Sequence, residues 1–232
     1  MASKVVYFKS IGQVTFFRNR RSKSIKISIK PDNSVLISFP FYASEREVLS
    51  FLAKNEPWIK EHQRKSAAKR KKYKAGDVIK TKMFKIELHT GAELKVKSSE
   101  LTMKIFYPDF SSEEGHKVLS DFLGKLYLTE AHLLLPPRLN ELAVQHGFRY
   151  NKITIRDNKH NWGSCSSINN ISLNLQMMKL PDELIDYILL HELVHTEIKD
   201  HSERFWKRLD ECTGYRALEL AQEVKKYSTY TL

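Results

Sequence analysis

The sequence predicts an α+β protein, with a basic, strand-rich N-terminal region followed by a helical region that contains a small antiparallel sheet. Apolar residues alternate with polar ones before residue 108, which is typical of strands. From about Ser111 they recur at helical spacing. The excess positive charge lies in the first 100 residues, where 23 Lys and Arg accompany 9 Asp and Glu. We therefore expect two domains, residues 1–108 and 109–232.

The first half is predicted to be mostly strand with one helical insertion. SIKISIKPDNSVLISF (24–39) indicates two alternating strands joined by turn residues at 31–34. A helical segment follows, with Ser44 as N-cap and Glu47 at capping-box spacing. Pro57 is expected to divide it into two short helices. After Gly76 the pattern returns to strands, with a Thr-Gly turn at 90–91.

The second half is predicted to be mainly helical. Pro136 and Pro137 are expected to end one helix and begin the next. KITIRD (152–157) and ISLNLQM (171–177) indicate a pair of strands. Pro181 and the acids after it open a further helix, and a final helix is expected over residues 202–227.

Composition limits the class of protein. No apolar run is long enough to cross a bilayer, so we expect no membrane partner. The first twenty residues lack the apolar core and cleavage site of a secretory signal. Cys165 and Cys212 are the only cysteines, too few for a disulfide framework. These features predict a cytoplasmic protein.

The positive charge suggests an acidic partner. The formal net charge is +12, and basic residues are densest at 16–30 and 62–74. Nucleic acid is the first candidate for such a region. The alternative is a solvated face that keeps the protein soluble, which is a common role of lysine runs.

The segment LLHELVH (189–195) carries the most specific chemistry. Residues four apart on a helix are offset by about 40°, so His191 and His195 share one face and can bind one metal ion. Glu192 lies beside them, as in the His-Glu-x-x-His motif of zinc peptidases. Without a metal, burying these side chains in an apolar helix would be costly.

His201 is the expected third ligand, because it has the spacing of the extended zinc motif. An unbroken helix would point it away from the first two ligands, so the helix must end between Thr196 and Asp200. The extended motif turns at a glycine, but position 198 here is Ile198. We expect the bend at Lys199-Asp200, and Glu211 remains the alternative third ligand.

Three protein ligands would leave one position on the metal for water, as in catalytic zinc sites. We therefore expect one Zn²⁺ per chain, although other divalent transition metals suit the same ligands. Glu192 is expected to activate the metal-bound water for amide hydrolysis of a protein or peptide substrate. The ISLNLQM strand could pair with the substrate backbone if it forms an exposed edge.

The tract from Asn161 to Trp206, with WGSCSS, an I-S-L-N strand, H-E-L-V-H and H-S-E-R-F-W in order, closely resembles the YgjP-like metallopeptidases. Residues 16–60 also resemble that family. The resemblance implies a zincin-like, zinc-dependent peptidase domain similar to the SprT-like and WLM proteases, some of which act on proteins crosslinked to DNA. It also implies that His191, His195 and His201 are the metal ligands and Glu192 the catalytic base.

Four further residues are candidates for the surroundings of the metal or for a pocket: Asp186, Trp162, Cys165 and Trp206. For Cys165, a structural cysteine and a thiolate near the metal are both considered. Two other functions remain open. One is a nucleic-acid-associated binding protein with a structural or vestigial metal site, and the other is a metal-dependent hydrolase of a non-peptide substrate. The sequence does not predict the oligomeric state.

Overall fold

The computed structural model describes residues 3–30, 33–69 and 72–229. It forms two compact units, Met1–Lys71 and Lys72–Leu232. Both combine helices with small sheets, so the predicted α+β class is confirmed. The functional domain division at 108/109 stays a prediction.

The N-terminal unit consists of a four-stranded sheet and one helix. Its elements are β1 (Ser3–Phe8), β2 (Gly12–Arg18), β3 (Lys26–Ile29), β4 (Val35–Phe39) and α1 (Glu45–Lys69). The sheet order is β1-β2-β4-β3, and β3 and β4 form the predicted antiparallel pair. Residues 31 and 32 of the predicted turn lie outside the described residues. Alternate apolar side chains of the sheet, including Val14 and Ile37, pack with Ile59 of the helix.

Helix α1 begins as predicted but does not divide at Pro57. The Ser44 backbone N–H donates to Glu47 Oε2 over 2.8 Å, and the Glu47 N–H donates to Ser44 Oγ over 3.3 Å. The two-helix prediction is wrong because the proline removes only the bond to the carbonyl of Ala53. Pro57 and Ala53 are both exposed, so the Ala53 carbonyl faces water.

The C-terminal unit contains the remaining elements. Its strands are β5 (Val78–Lys80), β6 (Lys85–Thr90), β7 (Lys95–Ser99), β8 (Thr102–Tyr107), β9 (Lys152–Arg156), β10 (Gly163–Cys165) and β11 (Asn170–Asn174). Its helices are α2 (Glu113–His146), a 3-10 turn (Leu175–Lys179), α3 (Asp182–Glu197), α4 (Glu203–Thr213) and α5 (Ala217–Val224). One apolar core joins them, with α2 and α3 at its centre.

Helix α2 runs through Pro136 and Pro137, so the predicted break there is wrong. The lost hydrogen bonds belong to the carbonyls of His132 and Leu133, both of which are exposed residues. Leu135 and Leu139 are buried on the opposite side and hold the helix against the core.

The sheet before α3 differs from its prediction in two ways. Its order is β10-β11-β9, with β10 antiparallel and β9 parallel to β11, so it is mixed rather than antiparallel. The ISLNLQM strand, β11, lies in the middle and therefore cannot be the edge that pairs with a substrate. The sequence analysis missed β10, which is only three residues long.

The predicted final helix is two helices, because the chain turns after Thr213. Gly214 and Tyr215 both have φ of 64°, in the left-handed region. The Asp210 carbonyl accepts from the Tyr215 N–H over 2.8 Å, and the Asp210 carboxylate accepts from the Ala217 N–H over 2.9 Å. These bonds end α4 and begin α5 in a new direction.

Within the described residues, no helix is both long enough and apolar enough to span a bilayer.

Candidate metal centre

Helix α3 carries four of the predicted site residues: Asp186, His191, Glu192 and His195. It begins at Asp182 after Pro181, and its buried residues include Leu189, Leu193 and Val194. His191 and His195 lie one turn apart on this rigid element, with ring centroids separated by 4.8 Å. The core on the other faces of the helix therefore fixes the positions of both imidazoles.

The chain leaves the helix in time for His201 to return to the same place. Helix α3 ends at Glu197, and Ile198 is extended with φ −126° and ψ 107°. The helix therefore ends inside the predicted interval from Thr196 to Asp200, and the chain bends at Asp200, within the predicted Lys199-Asp200. The backbone of Ile198 is not left-handed, which explains why no glycine is needed at this position.

The three imidazoles form one cluster. A ligand nitrogen from each of His191, His195 and His201 lies within 4.8 Å of the other two. The ring of Phe205, which is fully buried, lies 4.5 to 4.9 Å from all three imidazole centroids. The three imidazoles therefore pack against the apolar ring of Phe205.

This donor set fits a metal ion. Nε2 of His191 and Nε2 of His201 are 3.2 Å apart. Two nitrogens about 2.1 Å from a tetrahedral zinc ion lie about 3.4 Å apart, close to that separation. His195 Nδ1 donates to the Ile198 carbonyl over 2.9 Å, which leaves its Nε2 lone pair free. Burial lowers the pKa of His191 to about 3, with the neighbouring His195 and His201 adding to the effect, so this imidazole is in its neutral, ligating form.

Glu192 is buried beside the cluster. Its side chain is 5% exposed, and no donor among the described residues hydrogen-bonds to Oε2. Burial raises the pKa of this carboxyl to about 8. A buried, unpartnered carboxyl oxygen is unfavourable for stability and typical of a functional group.

Gly163 of β10 lies against the Glu192 side chain. A Cβ at position 163 would be 2.6 Å from Oε1 and 2.7 Å from Cγ, closer than side-chain atoms approach. The carboxylate can occupy its position only because residue 163 is glycine. The sequence analysis missed this role, since the two residues are distant along the chain.

Hydrogen bonds order the segment before β10, and the sequence analysis did not identify them. Asn174 is buried, and its Nδ2 donates to the carbonyl of Asn158 over 2.5 Å and to that of Asn161 over 2.9 Å. Lys199 Nζ donates to the Ser166 carbonyl over 2.9 Å. These contacts hold the loops on both sides of β10.

The remaining predicted residues occupy different surroundings. Cys165 is half-buried on β10, and its Sγ is 3.7 Å from Lys199 Nζ. Burial raises the pKa of the Cys165 thiol, which favours a structural cysteine over a thiolate near the metal. Trp162 is half-buried against the core, and Trp206 lies 6.3 Å from the His201 ring.

Two acids that were considered for the site have other partners. Asp186 accepts from Arg138 Nε over 2.7 Å and from Arg138 Nη2 over 2.6 Å, and it lines a cavity of about 350 Å³ that excludes the three histidines. Glu211, the alternative third ligand, lies 3.6 Å from Arg208 Nη1 and outside the histidine cluster.

Comparison with known proteins identifies the family. The family described as YgjP-like, metallopeptidase domain, matches residues 23–225, which is most of the chain. The chain belongs to the YgjP-like metallopeptidase family. It is therefore a metal-dependent peptidase that uses a catalytic metal and acts on a peptide or protein. No curated protein gives a significant match.

Two crystal structures of metallopeptidase zymogens are also similar to this YgjP-like chain. Abylysin of Pyrococcus abyssi is 26% identical, with 40% of this chain and 94% of that chain covered and a TM-score of 0.36. Jannalysin of Methanocaldococcus jannaschii is 26% identical, with 38% and 94% covered and a TM-score of 0.32.

Proposed function

We propose that the chain is a single-zinc peptidase in which His191, His195 and His201 bind Zn²⁺ and Glu192 is the general base for amide hydrolysis. The observation that carries this proposal is the convergence of three imidazoles beside a buried carboxyl oxygen that has no hydrogen-bond donor among the described residues. Histidine nitrogens favour zinc over magnesium or calcium, although cobalt, nickel or manganese could occupy the same donors.

Each residue has a distinct part in the chemistry. Bound zinc would supply a Lewis acid that polarises the substrate carbonyl and lowers the pKa of water toward neutrality. Glu192 accepts the proton of the attacking water at its carboxylate and delivers it to the leaving amine. Only the carboxylate form of Glu192 can accept this proton, so at neutral pH the charge of bound zinc would have to stabilise that form against the burial that raises its pKa to about 8. The Ile198 carbonyl holds the tautomer and orientation of His195.

Strand β10 is the proposed place for the substrate backbone. It is an edge strand, and Gly163 lies against Glu192. The Asn174 N–H donates to the Trp162 carbonyl over 2.8 Å. Because hydrogen-bonded pairs alternate along antiparallel strands, the backbone groups of Gly163 then face away from β11. The Gly163 carbonyl accepts from Asn161 Nδ2 over 2.8 Å, so a substrate would bond to the Gly163 N–H or share this carbonyl. An extended peptide that pairs with this edge would pass beside the catalytic carboxylate.

Metal content is the measurement that tests the ligand set. Elemental mass spectrometry of the purified full chain should find about one zinc ion per chain, as expected for one closed set of three ligands. His191→Ala, His195→Ala and His201→Ala should each lose it or bind it much more weakly. Hydrolysis of fluorescein-labelled casein should fall in parallel.

Glu211→Ala is the matched control, because it removes the alternative third ligand. It should retain both zinc and casein hydrolysis. Loss of zinc in Glu211→Ala with retention in His201→Ala would refute the assignment of the third ligand. A wild-type chain that takes up no transition metal after reconstitution would contradict the whole proposal.

A further inference from the structure

The charges of the N-terminal unit are unevenly placed. Residues 1–71 contain 16 Lys and Arg against 5 Asp and Glu. Four of the five acids lie on α1 and the fifth is at position 32, so no acid occurs at residues 3–30 or 33–44. Apart from Asp32, which lies between β3 and β4 in the sequence, every charged side chain of the strands and their connections is therefore basic.

Two loops of this region lie side by side at one end of the sheet. The Asn19 N–H donates to the Phe39 carbonyl over 2.8 Å, and the Tyr42 hydroxyl donates to the Lys23 carbonyl over 3.2 Å. The first loop carries Arg20 and Arg21. We call Arg20, Arg21, Lys23, Phe41 and Tyr42 the basic-aromatic patch.

The basic side chains of the patch are exposed and lack acidic partners. Within the described part of the chain, no carboxylate forms an ion pair with Arg20, Arg21 or Lys23. Unneutralised positive charges within four residues of one another in the sequence repel one another, and a bound anion would relieve this repulsion.

The aromatic side chains of the patch are also exposed. Phe41 is 61% and Tyr42 68% exposed, and the two rings meet edge to face with centroids 5.6 Å apart. The hydroxyl bond to Lys23 fixes one ring, so little conformational entropy remains to be lost on binding. Exposed rings on a loop that adjoins the arginine-bearing loop offer stacking surfaces and phosphate contacts in one region.

We infer that the basic-aromatic patch binds single-stranded nucleic acid, with Arg20, Arg21 and Lys23 on phosphates and Phe41 and Tyr42 stacked on bases. This function is separate from the proposed peptidase site, since each can fail without the other. Every base has a stacking face, so the expected recognition is tolerant of sequence.

An anionic membrane surface is the competing partner for such a patch. The composition favours nucleic acid for two reasons. Arginine binds phosphate through two parallel bonds and stacks on bases, unlike lysine. The tethered Tyr42 hydroxyl keeps that ring at a polar surface rather than free to enter acyl chains.

Fluorescence anisotropy of the full chain with a fluorescein-labelled oligothymidylate of about 20 nucleotides tests the inference. The single strand should bind more tightly than a duplex of equal length. Arg20→Ala/Arg21→Ala should weaken binding roughly tenfold at moderate salt and reduce the slope of log K against log salt by about 1.4. Phe41→Ala should weaken binding by about tenfold without changing that slope.

The double variant Arg149→Ala/Arg156→Ala is the control. It removes two exposed arginines from the C-terminal unit and should bind as the wild type does. Equal weakening in both double variants would overturn the assignment to the patch, because net charge alone would then explain binding. Wild-type oligonucleotide binding by Phe41→Ala, with loss of binding to phosphatidylcholine vesicles that contain phosphatidylserine, would overturn it in favour of a membrane.

Discussion

Arginines have different partners in the two compact units. In the C-terminal unit, Arg138, Arg208 and Arg216 each contact carboxylates. Residues 72–232 are also nearly balanced, with 23 basic and 22 acidic side chains. In the N-terminal unit, Arg20 and Arg21 have no carboxylate partner among the described residues. These three arginines of the C-terminal unit are neutralised by carboxylates, whereas Arg20 and Arg21 are left to solvent.

The two units place their candidate functional groups in two environments, one buried and one exposed to water. His191 and Glu192 are largely kept out of water, where desolvation opposes their charged forms and shifts their pKa values. The basic-aromatic patch remains in water, so its unfavourable energy is mutual repulsion, which salt screens. Substitutions at the candidate metal centre should therefore have large effects on activity that do not depend on salt. Substitutions in the basic-aromatic patch should have smaller effects on binding, and these should depend on salt.

Glu192→Gln should have the largest effect in this comparison. The amide cannot accept the proton of the attacking water, so kcat for casein hydrolysis should fall by about 10²- to 10⁴-fold. Zinc content should not change, because the three imidazoles remain. A variant that keeps more than a tenth of wild-type kcat would rule out Glu192 as the base.

Gly163→Ala should have the next largest effect. Its methyl group would displace the Glu192 carboxylate, and misplacement of a catalytic group by about 1 Å can reduce the rate about 100-fold. We expect kcat to fall by about 10- to 100-fold with zinc retained. Gly124→Ala is the control: its Cβ would meet open space within α2, so activity should persist and stability should rise by about 0.5–1 kcal/mol.

Glu130→Ala should weaken the C-terminal unit without direct contact with the candidate site. This fully buried carboxylate on α2 accepts hydrogen bonds from the Met83 N–H, over 2.9 Å, and from the Thr81 hydroxyl. Its removal leaves buried donors unpaired, so the free energy of unfolding should fall by roughly 3 kcal/mol. Urea unfolding would measure this, with exposed Asp121→Ala on the same helix expected near wild type.

Arg20→Ala/Arg21→Ala should have the smallest effect on catalysis. Hydrolysis of an uncharged peptide should be unchanged, and salt that weakens oligonucleotide binding should leave that hydrolysis intact. Peptide hydrolysis that declines in parallel with oligonucleotide binding, in the variant or with salt, would show that the two surfaces are not independent.

Local spacing was enough to predict part of the candidate site. His191, Glu192 and His195 share one helix, so helical geometry relates them without knowledge of the fold. Ser44 and Glu47 form their capping box for the same reason, since both partners lie within one turn. The return of His201 could be predicted only as a condition, because it depended on where α3 ended.

Predictions about proline failed because the penalty of proline depends on what faces the lost hydrogen bond. Pro57, Pro136 and Pro137 each sit where the freed carbonyl belongs to an exposed residue. Water can satisfy those carbonyls, and packing of the opposite face keeps the helix continuous.

By itself, the sequence determined the α+β class, the charge asymmetry and the group of residues capable of metal chemistry, because composition and short-range periodicity encode all three. Only the tertiary structure decided that β10 is an edge strand, that residue 163 must be glycine beside Glu192, and that Phe205 underlies the three imidazoles. It also brought the loop of Arg20 and Arg21 next to the loop of Phe41 and Tyr42. These are contacts between segments far apart in the chain, and they follow from how strands pair and cores pack rather than from any local pattern.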